Sequence, residues 1–174
     1  YRKEVTVEDV LNAPLVVDPL TLLSCYPTGD GAAAAILCSA EVAAHYTTQP
    51  VRVRAASLKS GEYQKRREIT SLGGTVRASR EAYERAGIGP EDLDVAEVHD
   101  CFTPAEILHY EDLGLCTKGE GGPFIASGAT QIGGKIPVNP SGGLLSKGHP
   151  LGATGIAQIA EIVWQLRGQA GERQ

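Results

Sequence analysis

An α/β fold is predicted for this chain by three observations. Short apolar or period-two stretches alternate with stretches of helical period along its length. Proline and glycine punctuation separates them. Two histidine-bearing segments fall at predicted helix amino termini, and the first of them also closes a strand, the edge at which α/β sheets build sites. With 174 residues, 42% of them hydrophobic, the chain can bury roughly 70% of its unfolded surface in a core.

Residues 5–11 (VTVEDVL) read as a short helix or turn closed by Asn12, Ala13 and Pro14, with Thr6 and Asp9 as a capping pair. Residues 19–30 are loop-like, punctuated by Pro27 and Gly29 and ended by a tight Asp30-Gly31 turn. Residues 32–39 (AAAAILCS) suit a buried strand or a helix segment, and their length and the preceding turn favour a strand. Residues 41–46 read as a short helix ending before Pro50. Val51, Val53, Ala55 and Ser57 then alternate with Arg52, Arg54, Ala56 and Leu58, the period of a strand with one wetter face. Residues 60–74 mix charges and read as a loop, whose Lys65-Arg66-Arg67 run is either a solvated face or a phosphate contact. Residues 75–86 form a helix with Val76, Ser79, Tyr83 and Ala86 on one face, stopped by Gly87. Residues 90–93 turn the chain into a short strand at 94–98.

His99, Asp100 and Cys101 close that strand. Thr103, Pro104 and Glu106 read as a capping box with proline at the first helical position, so a helix follows and ends near Gly114. The helix dipole and a nearby histidine would favour a Cys101 thiolate; the alternative is a small buried cysteine in a turn. Residues 139–155 (NPSGGLLSKGHPLGATG) carry the second histidine. Pro150 begins a helix, and Ile156, Ile159, Ala160, Val163 and Leu166 recur at steps of three and four over about four to five turns. Gly148, Gly152 and Gly155 fall on one side, which implies close backbone approach and a helix buried on more than one face. His149 reads either as a capping or packed histidine or as a neutral, base-competent ring at the positive end of that helix.

Several chemistries are excluded. A net charge of −5 argues against a broad nucleic-acid surface. No apolar run approaches the roughly 18 residues of a membrane span, and no amino-terminal signal pattern is visible, so an intracellular domain is expected. Cys25, Cys38, Cys101 and Cys116 lack CxxC spacing and are expected as free thiols. His99, Cys101, His109 and Cys116 fit no common zinc spacing, so no metal is expected. Residues 128–135 mimic a phosphate loop, yet Ala129 stands where a glycine is needed and Ile136 where Ser or Thr would bind magnesium. GxGxxG and GxSxG motifs are absent. The lack of any methionine is what a piece of a longer product would show.

The segments HDCF (from His99) and NPSGGLLSKGHPLGATG (from Asn139) together resemble the carboxy-terminal half of the thiolase superfamily, specifically the sterol-carrier-protein-type thiolases. VTVEDVLNAP, DPLTLL, GDGAAAAIL, DLDVAEVHDCFTPAEILHYEDLGL and IAQIAEIVWQLRGQAGERQ extend the likeness in the same order. The resemblance implies one βαβαβαββ half of an αβαβα layered sandwich, truncated at both ends, with residues 1–20 as the tail of an upstream loop segment and 21–174 as the carboxy-terminal domain. It implies an acyl-CoA C-acyltransferase, like acetyl-CoA acetyltransferase, that makes or breaks 3-oxoacyl-CoA through an acyl-cysteine. His149 is similar to the family's activating histidine, His99 to a residue lining the oxyanion hole, and Cys101 to the acid/base cysteine of sterol-carrier-type members. Asn139, Gly142, Gly143, Ser146 and Gly148 are similar to its substrate-binding loop. CoA thioesters are the implied substrate, with no permanently bound cofactor. The missing amino-terminal half would supply the nucleophilic cysteine, since Cys25 and Cys38 sit in no matching motif, and the fragment alone is expected to be inactive. A homodimer, a cytoplasmic location (peroxisomal in a eukaryote), a role in lipid metabolism and a small partner protein are further expectations. The alternatives are a thiolase-like retro-aldolase acting on β-hydroxyacyl-CoA and a non-catalytic scaffold or lipid-carrier domain.

Overall fold

The computed structural model describes residues 4–63 and 68–174, so the Lys65-Arg66-Arg67 run lies outside the described residues. Helix α1 spans Val7–Leu11, and Thr6 and Asp9 form the expected reciprocal capping box. A two-stranded antiparallel hairpin follows, β1 at Leu15–Val17 and β2 at Leu20–Thr21. Helix α2 covers Ala40–Ala43, with Ser39 accepting from the Val42 N–H. Helix α3 runs Gly73–Ala86 and stops where Gly87 turns left-handed at φ 68°. Helices α4 (Thr103–Asp112), α5 (Gly121–Ala126), α6 (Gly143–Lys147) and α7 (Thr154–Leu166) complete the set.

The core gathers Val98, Tyr110, Leu115, Ile136 and Val138, with Ile107, Leu113 and Phe124 packed against it. Helix α3 reaches α4 through its predicted face. Ser79 Oγ donates to the Asp112 carbonyl (3.3 Å) and Tyr83 Oη to that of Leu113 (2.9 Å). Asp112 in turn accepts from Leu72 N and Ser71 Oγ, closing the start of α3.

Three strand expectations come out differently. Residues 32–39 have no regular secondary structure and form no ladder, and Ile36 and Leu37 stand 95% and 78% exposed. An apolar run is buried only if another segment covers it, and among the described residues none does. Residues 51–58 keep a partial two-residue alternation, with Val51, Ala55 and Ser57 half-buried. Their backbone carbonyls and side chains are taken by α3 rather than by a strand: Arg85 binds the Ala56 carbonyl and Glu81 accepts from Ser57. At 94–98 the strand shrinks to one parallel bridge between Ala96 and Val138, built by Ala96 N to Pro137 O (3.0 Å) and Asn139 N to Ala96 O (2.8 Å).

Two helix starts also differ. Phe102 is the N-cap of α4, and Thr103 and Glu106 make no capping box. Glu106 instead turns inward to Tyr110 Oη and to Asn139 Nδ2 (2.8 Å). Helix α7 begins four residues after Pro150, whose carbonyl accepts from Ala153 N and Thr154 N in a preceding turn. Its apolar stripe is not enclosed on several faces, because Ile159 and Leu166 are exposed. A Cβ on Gly152 or Gly155 would meet nothing within 4 Å, whereas one on Gly148 would lie 3.3 Å from the Pro27 carbonyl.

Candidate active site

The parallel pairing of Ala96 with Val138 sets the geometry. Both segments leave it in the same direction, so His99, Asp100 and Cys101 emerge beside Asn139, Ser141 and Gly142. Sites form at such carboxyl ends because the strands present their following loops together. A third segment joins them: Cys25 bridges Phe102, Tyr26 N donates to the Cys101 carbonyl (3.0 Å), and His149 N donates to the Pro27 carbonyl (3.2 Å). Residues 25–27 thus tie the two histidine-bearing loops to one another.

His149 is buried, 8% exposed as a residue, and its ring lies edge-to-face with two others. Its centroid is 4.8 Å from that of His99 at 82°, and 4.9 Å from that of Tyr26 at 86°. Its Nδ1 is hydrogen-bonded to Thr154 Oγ1 (2.8 Å), which also reaches the Pro150 carbonyl (3.1 Å). Burial lowers the pKa of His99, and the neighbouring His149 lowers it further. At neutral pH its ring is therefore uncharged and able to donate one hydrogen bond.

Cys101 differs from the thiolate expectation. Burial pushes its thiol pKa up, and the Asp100 carboxylate and Cys25 beside it act in the same direction, outweighing two backbone hydrogen bonds. Burial disfavours the charged form, so loss of water favours the neutral thiol over the thiolate. The group is held as S–H. His109, from the last turn of α4, is buried, and its pKa is likewise lowered, first by burial, against a hydrogen bond to the His99 backbone.

The loop residues are placed as follows. Asn139 is buried in a left-handed conformation (φ 52°), with Oδ1 accepting from Val98 N (2.8 Å) and Nδ2 donating to Glu106. Gly142 is the N-cap of α6 at φ 94° and Gly143 its first residue at φ 61°; both are left-handed. Gly148, at a positive φ of 86° with ψ 170°, ends α6 and delivers His149. Ser146 lies exposed on α6. Sequence reasoning passed over Tyr26, Glu97, Asp100 and Thr154. Asp100 and Thr154 were within the motifs, but a motif does not say which side chain turns inward.

The model for the "Thiolase C-terminal domain-like" family matches residues 55–174. The chain belongs to the thiolase family. It is 57% identical to an acetyl-CoA acetyltransferase of Methanothermobacter thermautotrophicus, over all of this chain and 46% of that protein. It is 46% identical to sterol carrier protein 2 of Oryctolagus cuniculus (all of this chain, 33% of that one). It is also 46% identical to the benzoylsuccinyl-CoA thiolase subunit BbsB of Thauera aromatica (97% and 44%). Among solved structures, the Ltp2-ChsH2(DUF35) aldolase superposes with a TM-score of 0.87 at 32% identity, over 98% of this chain and 45% of that one. The α/β thiolase-like half-fold is thereby established, and the thiolase chain spans less than half the length of these relatives. No helix among the described residues is long and apolar enough to cross a membrane.

Proposed function

We propose that the protein carrying this chain is an acyl-CoA C-acyltransferase that cleaves or forms 3-oxoacyl-CoA, with His149 as base, His99 as oxyanion donor and Cys101 as acid. The observation that carries this reading is the edge-to-face stacking of the two histidines, 4.8 Å apart, at the loop that holds the protonated Cys101 thiol. In the cleavage direction a nucleophilic cysteine outside this chain passes its proton to His149 Nε2, Nδ1–H being donated to Thr154. The thiolate attacks the 3-carbonyl carbon, the C2–C3 bond breaks, and its electron pair passes to C2 of the departing acetyl-CoA enolate. Cys101 S–H protonates C2, and His99 donates to the thioester oxygen where charge collects. CoA then gives its thiol proton to Cys101 and its sulfur to the acyl group, and His149 returns its proton to the released cysteine. Each proton taken is thus restored within the cycle.

In this reading residues 1–20 are the tail of an upstream loop segment and 21–174 the carboxy-terminal domain. Asn139, Gly142, Gly143, Ser146 and Gly148 shape the substrate-binding loop. The full-length protein works as a homodimer on CoA thioesters, without a resident cofactor, in lipid metabolism, in the cytoplasm or in the peroxisome of a eukaryote. The test is thiolysis of acetoacetyl-CoA by the full-length protein. His149→Ala should lower kcat on the order of 10³-fold, and a wild-type rate in that variant would remove the assignment. The 174-residue chain alone should yield no acetyl-CoA, and cysteine-dependent turnover by it would contradict the external nucleophile.

The likeness to a thiolase-like aldolase favours one second reading, a retro-aldol cleavage of β-hydroxyacyl-CoA with a partner protein. Ketone release that survives Cys101→Ala would select it.

A further inference from the structure

The short helix α6 ends on Gly148 and hands the chain directly to His149, so its placement sets that of the ring. Its amino-terminal N–H groups need acceptors, normally found on the N-cap side chain. The N-cap is Gly142, which has none. Asp100, 1% exposed and 44 positions before Leu144, takes that role: its Oδ1 accepts from Leu144 N (2.7 Å) and its Oδ2 from Leu145 N (3.3 Å). Gly143 makes room for it. A Cβ on Gly143 would overlap Asp100 Oδ2 and lie 2.7 Å from its Cγ. Two neighbouring carboxylates hold the start of the same loop, Glu97 through Ser141 N (3.1 Å) and Oγ (2.8 Å), and Glu106 through Asn139. Glu97 also pairs with Lys147 at the far end of α6 (3.9 Å), but Asp100 is the one of the three that caps its amino-terminal N–H groups, and it sits between His99 and Cys101.

We propose that Asp100 is a positioning residue: by capping α6 from a distant segment it fixes His149 against His99 and Cys101, with Gly143 as its necessary counterpart. The inference rests on the proposed roles of those three residues. Five residues of helix span about 7.5 Å, so a tilt at the capped end displaces His149 at the other, and a displacement of about 1 Å can cost 10²-fold in rate.

The experiment measures acetoacetyl-CoA thiolysis by the full-length protein carrying Asp100→Ala, Asp100→Asn, Gly143→Ala and the Asp100→Ala/Gly143→Ala pair. Asp100→Ala and Gly143→Ala should each lower kcat at least about tenfold while KM stays within about threefold. The pair should be no slower than its worse member, because both changes break one contact. Asp100→Asn keeps an acceptor for Leu144 N and should recover part of the loss. In a crystal structure of an Asp100 variant the His99 and His149 ring centroids should no longer lie 4.8 Å apart. If Asp100→Ala does not fold, the cycle and the structure use Asp100→Asn. Losses that multiply in the pair, a wild-type kcat in the Asp100 variants or an unchanged ring separation would overturn the inference. His149→Ala separates the two readings: if it keeps full activity the catalytic assignment falls, and if it is inactive while the Asp100 variants turn over normally, only the positioning role falls.

Discussion

Cys101 shows how one residue's surroundings decide its chemistry. With burial raising its thiol, it remains protonated through neutral pH and opposes the usual picture of a dipole-activated cysteine. Alkylation of Cys101 by iodoacetamide in the full-length protein, followed by peptide mass spectrometry, should therefore show a midpoint above the ordinary thiol value of about 8.5. A midpoint below it would restore the thiolate expectation. The same scale explains the failed capping box. Glu106 has the right spacing, but Asn139 Nδ2 and Tyr110 Oη claim its oxygens, and its burial raises its pKa. A carboxyl group that finds two donors inside the protein does not turn back to an exposed helix end. Motif residues were legible from their order in the chain; distant partners, such as Asn139 for Glu106, 33 positions away, were not.

Glycines separate two kinds of constraint among the elements. At Gly87, which ends α3, a Cβ would meet open space, so Gly87→Ala pays for the left-handed φ alone, about 1 kcal/mol. At Gly134 a Cβ would lie 2.5 Å from the Gly128 carbonyl oxygen and 2.6 Å from that of Ala129, both backbone atoms. Gly134→Ala should cost more, about 2–3 kcal/mol, and urea unfolding of the two variants should rank them in that order. Helix α7 is joined to the chain end in a different way. Glu161, 2% exposed, accepts from Arg173 Nε (3.1 Å) and Nη2 (3.0 Å). Burial would raise the Glu161 pKa, but the Arg173 and Gln165 hydrogen bonds outweigh it and the net shift is downward. A depressed carboxylate stabilises the fold above its unfolded value, about 4.3, and that contribution is lost as pH falls through the lower folded value. Arg173→Ala should cost about 1–3 kcal/mol at pH 7, with the difference from wild type shrinking below about pH 4. A constant difference across that range would exclude the linkage. The existence of α3, α4 and α7 was legible from period and stop signals, as at Gly87, whereas the short glycine-led helices α5 and α6 carry too few residues to show a period and were not. Start positions were legible where a local cap holds, as at Thr6, and not at α7, where Pro150 has helix-starting chemistry but the helix begins at Thr154.

For the molecule as a whole, the apolar segment 32–39 stands uncovered, with Ile36 almost fully and Leu37 largely in water. Exposed apolar surface of this kind marks a contact face. The 174-residue chain prepared alone should associate, and Ile36→Asp with Leu37→Asp should return it toward a monomer in light scattering; a monomeric parent chain would contradict this. By itself the sequence determined the α/β class, the helices that carry strong periods and caps, and the two loops whose residue order resembles the thiolases, because these are properties of neighbours along the chain. It could not determine which strands find partners, whether a thiol stays protonated, or that Asp100 rather than a local cap holds the helix before His149. Those depend on burial and on contacts between segments some 40 residues apart, and such terms exist only once the chain has folded.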